Sequence, residues 1–270
     1  QEDAVPEYDS PKKNYQTIRT IDALEKAVQI MEKAELISFD IETTSLQAME
    51  TDIVGLSFSI APNEGWYIPI LFKDKSENLF GKDDLKIVLD ACRNILENED
   101  IILTGQNIKF DALVMKNHDV HLAGIAFDSL LAAHLVNPVS RSYKLETLSL
   151  ELLNYPMLPI EDLIGKGRKQ ITMAEVALEK TAFYAAEDAD VTGQITSILQ
   201  KKLKEEELYS FYQKIELPLI PVLLDMEFNG TFVDKEFLAK MSDDLGEKLD
   251  RLVSDIHSEA GTEFNVNSTQ

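Results

Sequence analysis

A chain of 270 residues with 48 acids against 26 Lys and Arg, net charge -22, is poorly suited to tight sequence-independent binding of duplex nucleic acid, which relies on many cationic contacts to phosphate. Its composition, 44% hydrophobic and 27% charged, is that of a globular protein able to bury a core; no apolar run of about 18 residues and no signal-peptide pattern occurs, so a cytoplasmic protein with no membrane contact is expected. One cysteine excludes an internal disulfide, and four scattered histidines lack the spacing of a zinc site.

Residues 1 to 14 read as an extended lead-in and Tyr15 to Arg19 as a short strand. Thr20 is a natural N-cap, and Ile21, Leu24, Val28 and Met31 mark a helix behind it. The next run, Leu36 to Ile41, has the period of a strand. Ile37, Phe39 and Ile41 point to one side, and Ser38, Asp40 and Glu42 to the other. Two acids leaving one face of an apolar strand are costly unless something positive compensates them, and a divalent cation is the natural candidate. The spacing alone is a weak signal, since in so acidic a chain it arises by chance about eight times. A solvated strand end is the other reading of the pair.

Ile53 to Ile60 and Trp66 to Ile70 are strand-like, and the turn chemistry of Ala61-Pro62-Asn63-Glu64-Gly65 joins them in an antiparallel hairpin. Lys82 to Glu97 reads as an amphipathic helix with Cys92 on its apolar face, and Ile101 to Thr104 as a buried strand. The chain turns at Gly105 into another helix, with Asn107 as its N-cap and Asp111 in the first turn, where the helix dipole favours negative charge. A connection through Asn117 to Phe127 leads to helices near Asp128 to Leu135 and Lys144 to Leu153. Pro156 and Pro159 interrupt the pattern, and Gly165-Lys166-Gly167-Arg168-Lys169 is the most basic short loop. Thr172 and Glu175 form a capping box before a long helix that runs to about Glu207. On it Tyr184 and Asp188, four apart, share a face continued by Val191, Ile195 and Leu199, whereas Glu187 and Asp190 are expected to be solvated.

In order, the chain presents Asp40-Ile41-Glu42 at a strand end, Gln106-Asn107-Ile108-Lys109-Phe110-Asp111 opening a helix, and Tyr184-Ala185-Ala186-Glu187-Asp188 within a helix. This order resembles the three exonuclease motifs in the proofreading domain of family A DNA polymerases, the bacterial DNA polymerase I type. YAAEDADVT from Tyr184 and IELPLIPVLLDMEFNG from Ile215 extend the likeness over roughly residues 15 to 270. The resemblance implies a ribonuclease H-like α/β domain with a mixed sheet over residues 1-208, a 3'-5' exonuclease, followed over 209-270 by the truncated start of a polymerase thumb. Polymerase activity is not expected of such a chain.

By that resemblance Asp40 would bridge two divalent metals, Glu42 and Asp188 would complete the first metal's shell, and Asp111 would hold the second through water. Tyr184 would orient the attacking water, Leu46 would pack on the terminal base, and Gln106 and Asn107 would sit beside the substrate. Phe110 departs from the pattern, since many relatives have tyrosine there. The chemistry is consistent: clustered carboxylates repel and titrate as a unit, and oxygen-only ligands favour Mg²⁺ or Mn²⁺. The expected substrate is a single-stranded or mismatched DNA 3' end, and the expected partner is the rest of a polymerase. An RNA-trimming exonuclease of the same fold and a silent DNA-positioning module are the alternatives.

Asp234 to Ala260 reads as one helix of about 35-40 Å with Phe237, Leu238, Met241, Leu245, Leu249, Leu252, Val253 and Ile256 in an apolar stripe. Such a stripe is expected to be covered by a second copy of the chain, as an antiparallel helix pair, or else to be poorly ordered. Removal of everything after about residue 208 is expected to leave the exonuclease intact.

Overall fold

Six strands form one mixed sheet in the order β1-β4-β3-β2-β5-β6. They are β1 (Asn14–Thr17), β2 (Leu36–Thr43), β3 (Ile53–Ser59), β4 (Glu64–Pro69), β5 (Ile102–Gly105) and β6 (Ile125–Asp128). The computed structural model describes residues 12–71 and 85–268. Strands β2, β3 and β4 are the expected antiparallel meander, while β1 joins β4, β5 joins β2 and β6 joins β5 in parallel. Strand β6 lies in what the sequence presents as a connection.

Helices α1 (Ile21–Met31), α2 (Leu85–Leu96) and α3 (Ile108–Asn117) belong to one side of the sheet. Their apolar residues, Leu24, Val88, Leu89 and Val114 among them, share a core with Ile37, Phe39 and Ile41. The expected start of the second helix at Lys82 and most of the expected lead-in lie outside the described residues. Short helices α4 (Ser129–Val136), α5 (Leu145–Leu153) and α6 (Ile160–Ile164) lead to α7 (Leu178–Glu205), which covers the opposite face of the sheet. The Thr172/Glu175 capping box is present, but it closes a separate turn at Met173–Glu175, and α7 begins three residues later.

Small residues let α7 lie close to the strands. A Cβ on Gly193 would come 3.3 Å from the Cβ of Ser38, and one on Gly65 would come 3.0 Å from the carbonyl oxygen of Ala186. At that range a short aspartate side chain on the helix reaches the sheet.

Two corrections to the sequence reading concern buried acids on this helix. Glu187 and Asp190 are not solvated; each is 1% exposed. The Asp190 carboxylate accepts from Lys13 Nζ at 2.8 Å, the Tyr15 hydroxyl at 2.7 Å, the Asn63 N–H at 2.8 Å and Gln194 Nε2 at 2.7 Å, and so fastens β1 and the hairpin turn to α7. Glu187 accepts from the Tyr155 hydroxyl and the Leu158 N–H. Buried acids are retained where the fold supplies this many donors.

After α7 come α8 (Tyr209–Phe211), a π-helical turn at Tyr212–Glu216 and α9 (Leu217–Asn229). The chain divides into one unit ending at Phe228 and another starting at Asn229. Residues 209–228, which the sequence reading gives to the following domain, therefore pack in the first unit. Tyr212 is fully buried, and Ile220 and Leu224 lie in the core with Ile37 and Leu103. A cut after residue 208 would open that core. The second unit is built on α10 (Lys235–Ala260), whose first turn is capped by Asp234 accepting from the Phe237 N–H at 2.9 Å.

Candidate active site

Three carboxylates, Asp40 and Glu42 from β2 and Asp188 from α7, offer oxygens that all lie within 4.8 Å of one another. Alternation along β2 puts both of its acids under α7, and the close approach of the helix brings the third to them. Ser57, directly across from Asp40, donates its hydroxyl to the Asp40 carbonyl at 3.2 Å and lies 3.5 Å from the carboxylate. One turn before Asp188, the Tyr184 phenol lies close enough to bear on the Asp188 carboxylate. The Asp188 Oδ1 is buried without a partner. A donor set made only of oxygens, one of them orphaned, suits a hard divalent cation.

Asp111 stands apart from this trio but within its field. It is 3% exposed in the first turn of α3. Asn107 does occupy the N-cap position, yet its backbone is left-handed, with φ of 60°, and its side chain makes no cap. The cap comes from Asp128, which the sequence reading passed over. Its Oδ2 accepts from the Ile108 N–H at 2.9 Å and its Oδ1 from the Leu131 N–H at 3.0 Å, so one carboxylate starts both α3 and α4. The signal was available as an aspartate between a short apolar run and a helix. The Asp128 N–H in turn donates to the Tyr212 hydroxyl at 2.6 Å.

Burial raises every acid of the cluster, and repulsion adds to it at Glu42, Asp111 and Asp188. Desolvation pushes Asp40 up to about 6, with the Ser57 hydroxyl opposing it. Glu42 is held well above the carboxylate range by burial and the Asp40 charge, Asp188 by burial with Asp40 and Glu42, and Asp111 by burial with Asp40 and Asp128. Tyr184 is raised by burial and by Asp188, Glu42 and Asp40, so its phenol keeps its proton. Without a cation this cluster holds protons that ordinary carboxylates release.

Asp40, Glu42 and Asp188 line a cleft of about 750 Å³ together with Leu46, Phe110, Ile164, Gly167, Gln170 and Tyr184. Leu46 is 91% exposed on the loop after β2. Of the basic loop, Gly167 reaches the cleft wall, and Lys166 lies near Glu161, another lining residue. Gln106 is engaged elsewhere, with Nε2 donating to the Tyr143 carbonyl at 2.8 Å and Oε1 accepting from Ser129. Asn107 is exposed at the start of α3. Among the described residues no helix is long and apolar enough to cross a membrane.

Residues 15–204 match the profile of a 3'-5' exonuclease family found in family A DNA polymerases. Similar proteins include DNA polymerase I of Pseudomonas aeruginosa, 37% identical over 88% of this chain and 26% of that protein. DNA polymerase I of Chloroflexus aurantiacus is 37% identical over 94% of this chain and again 26% of the relative. The chain thus spans about a quarter of the length of these relatives. Among solved structures, the POL domain of Pol1 from M. smegmatis, in complex with DNA primer-template and dNTP, superposes with a TM-score of 0.71 at 18% identity over 94% of this chain and 39% of that one. Brucella melitensis NrnC with bound Mg²⁺ gives 0.58 at 14% identity, covering 82% of this chain and 95% of that one. At such identities the two structures establish the fold alone.

Proposed function

This chain belongs to the 3'-5' exonuclease family of DNA polymerase I, and from that premise we propose that it hydrolyses the terminal phosphodiester of single-stranded or mismatched DNA 3' ends, releasing nucleoside monophosphates. The observation that carries the reading is the set of three carboxylates within 4.8 Å, raised by burial and including an unpartnered Asp188 oxygen. Asp40, Glu42 and Asp188 would hold one divalent cation, Mg²⁺ or Mn²⁺, and Asp40 with Asp111 would hold a second. Bound there, the cations would acidify water and offset the charge that develops on the phosphate.

The side chains supply position. Tyr184, one turn before Asp188 on α7, would accept a hydrogen bond from the attacking water and so orient it. Leu46 projects into the cleft mouth, where it would pack on the terminal base and help part it from its complement. Asn107 and Gln106, at the start of α3, would sit beside the substrate strand. Only a terminal nucleotide has to be grasped, and a cleft of about 750 Å³ falls in the range of small-ligand sites. An acidic protein can perform this task because the cations, and not a basic surface, meet the phosphate.

Residues 209–270 would be the start of a polymerase domain, with the rest of the polymerase as the partner of this chain in the cytoplasm, at the nucleoid. Where that partner is missing, the α10 stripe is proposed to pair with a second copy. The test of activity is digestion of a 3'-labelled single strand, as DNA and as RNA, with Mg²⁺ and with chelator. Mg²⁺-dependent stepwise loss from the DNA 3' end is expected. A metal-independent product, or none, would overturn the reading, and preferred cleavage of RNA would replace its substrate.

A further inference from the structure

Tyr67 on β4 has no place in the chemistry above, yet its hydroxyl is buried among the acids. The side chain is 0% exposed, and the phenol oxygen has no hydrogen-bond partner. Asp40 stands across from Ser57, and Ser57 across from Tyr67, so all three share the face under α7. One step along the same ladder, Glu42 stands across from Gly55. The Tyr67 ring leans into the space that Gly55 leaves empty. A Cβ on Gly55 would fall 2.2 Å from the phenol oxygen. The hydroxyl therefore lies over the cross-strand neighbour of Glu42.

Leaving a buried hydroxyl unpaired costs about 1–3 kcal/mol, and phenylalanine would fill the same volume without that cost. Burial, then the charges of Glu42 and Asp40, hold the phenol well above its ordinary range, so it remains a donor. A permanent donor beside two acids, idle while they are metal-free, is the arrangement of a group that acts once a cation has engaged them. Groups behind metal ligands commonly serve in this way, fixing the ligand's orientation.

We infer that Tyr67 is a positioning residue for the cation centre: its hydroxyl donates to the Glu42 carboxylate when that carboxylate serves as a ligand, and holds it in the binding orientation. The inference rests on the metal-dependent reading above. Calorimetric titration of the intact chain with Mn²⁺ tests both, using wild type, Asp40→Ala and Tyr67→Phe. Wild type is expected to bind and Asp40→Ala to lose the site. Tyr67→Phe is expected to bind about tenfold more weakly, at the lower end of what loss of such a partner costs, while its metal-free melting temperature is no lower than wild type. Unchanged Mn²⁺ affinity in Tyr67→Phe would overturn the inference and leave the metal centre standing. A lower metal-free melting temperature would also overturn it, by giving the hydroxyl a purely structural bond. Failure of wild type to bind Mn²⁺ would remove the centre and this role together.

Discussion

Asp40 is the acid whose charge bears on Glu42, Asp111 and Asp188 alike, which makes it the most informative residue to replace. Asp40→Ala is expected to lower the cleavage rate about 10³-fold or more, equivalent to roughly 4 kcal/mol of transition-state stabilisation, while the metal-free protein melts no lower than wild type. The direction follows from protons. The acids are raised in the folded state, so between about pH 4 and pH 6 the metal-free fold binds more protons than the unfolded chain, and its stability falls as pH rises through that window. Calorimetry in chelator should record this decline, with Mg²⁺ flattening it and Asp40→Ala making it shallower; a metal-free wild type whose stability rises from pH 4 to pH 6 would contradict it. At the cleft mouth, Leu46→Ala is expected to leave the melting temperature unchanged, because the side chain is 91% exposed, and to reduce cleavage of mismatched ends about tenfold as apolar contact with the base is lost. Rates on matched and mismatched 3' ends measure this. Strand alternation made Asp40 and Glu42 legible in the sequence, and helical spacing did the same for Tyr184 and Asp188. Neither pattern could show that Lys13 and Tyr15, about 175 residues away, would come to bury Asp190, nor that Tyr67 would lean across a glycine towards the acids.

The elements that hold these residues depend on a few capping and close-contact positions. Asp128 begins both α3 and α4, so Asp128→Ala removes two caps at about 1 kcal/mol each. A loss of about 2 kcal/mol in chemical denaturation is expected, together with weaker activity, since α3 carries Asp111 in its first turn. At the contact between α7 and the sheet, Gly193→Val would force the helix away from Ser38 and draw Asp188 back, so cleavage should fall more steeply than binding of the single strand. Equal losses in both would argue against that geometry. The sequence displayed the meander, α1, α3, α7 and α10, whose periodicities are long enough to declare themselves. It hid β6, whose four residues lack alternation and become a strand only by pairing in parallel with β5 after α3 has brought the chain back.

For the whole molecule, Phe228 and not residue 208 is the place to divide the chain, because Tyr212 bonds to Asp128 and Ile220 and Leu224 fill the core. A chain ended at 228 is expected to keep its melting transition and its nuclease activity, whereas one ended at 208 should be unstable. That boundary was illegible beforehand because 209–228 carry the apolar spacing of a helix without saying which surface they meet. On α10, Phe237, Met241, Leu245, Leu249 and Leu252 are each 41–62% exposed, and light scattering should find a dimer that disappears in the chain ended at 228. A strict monomer at high concentration would rule out pairing through this helix. The long span between the acids also sets when their cluster can first form. Asp40 and Glu42 leave the ribosome about 146 residues before Asp188, a delay of roughly 7–30 s at about 5–20 residues per second. Until α7 emerges and docks, the newborn chain has Asp40 and Glu42 without Asp188, and the trio of carboxylates is not yet assembled.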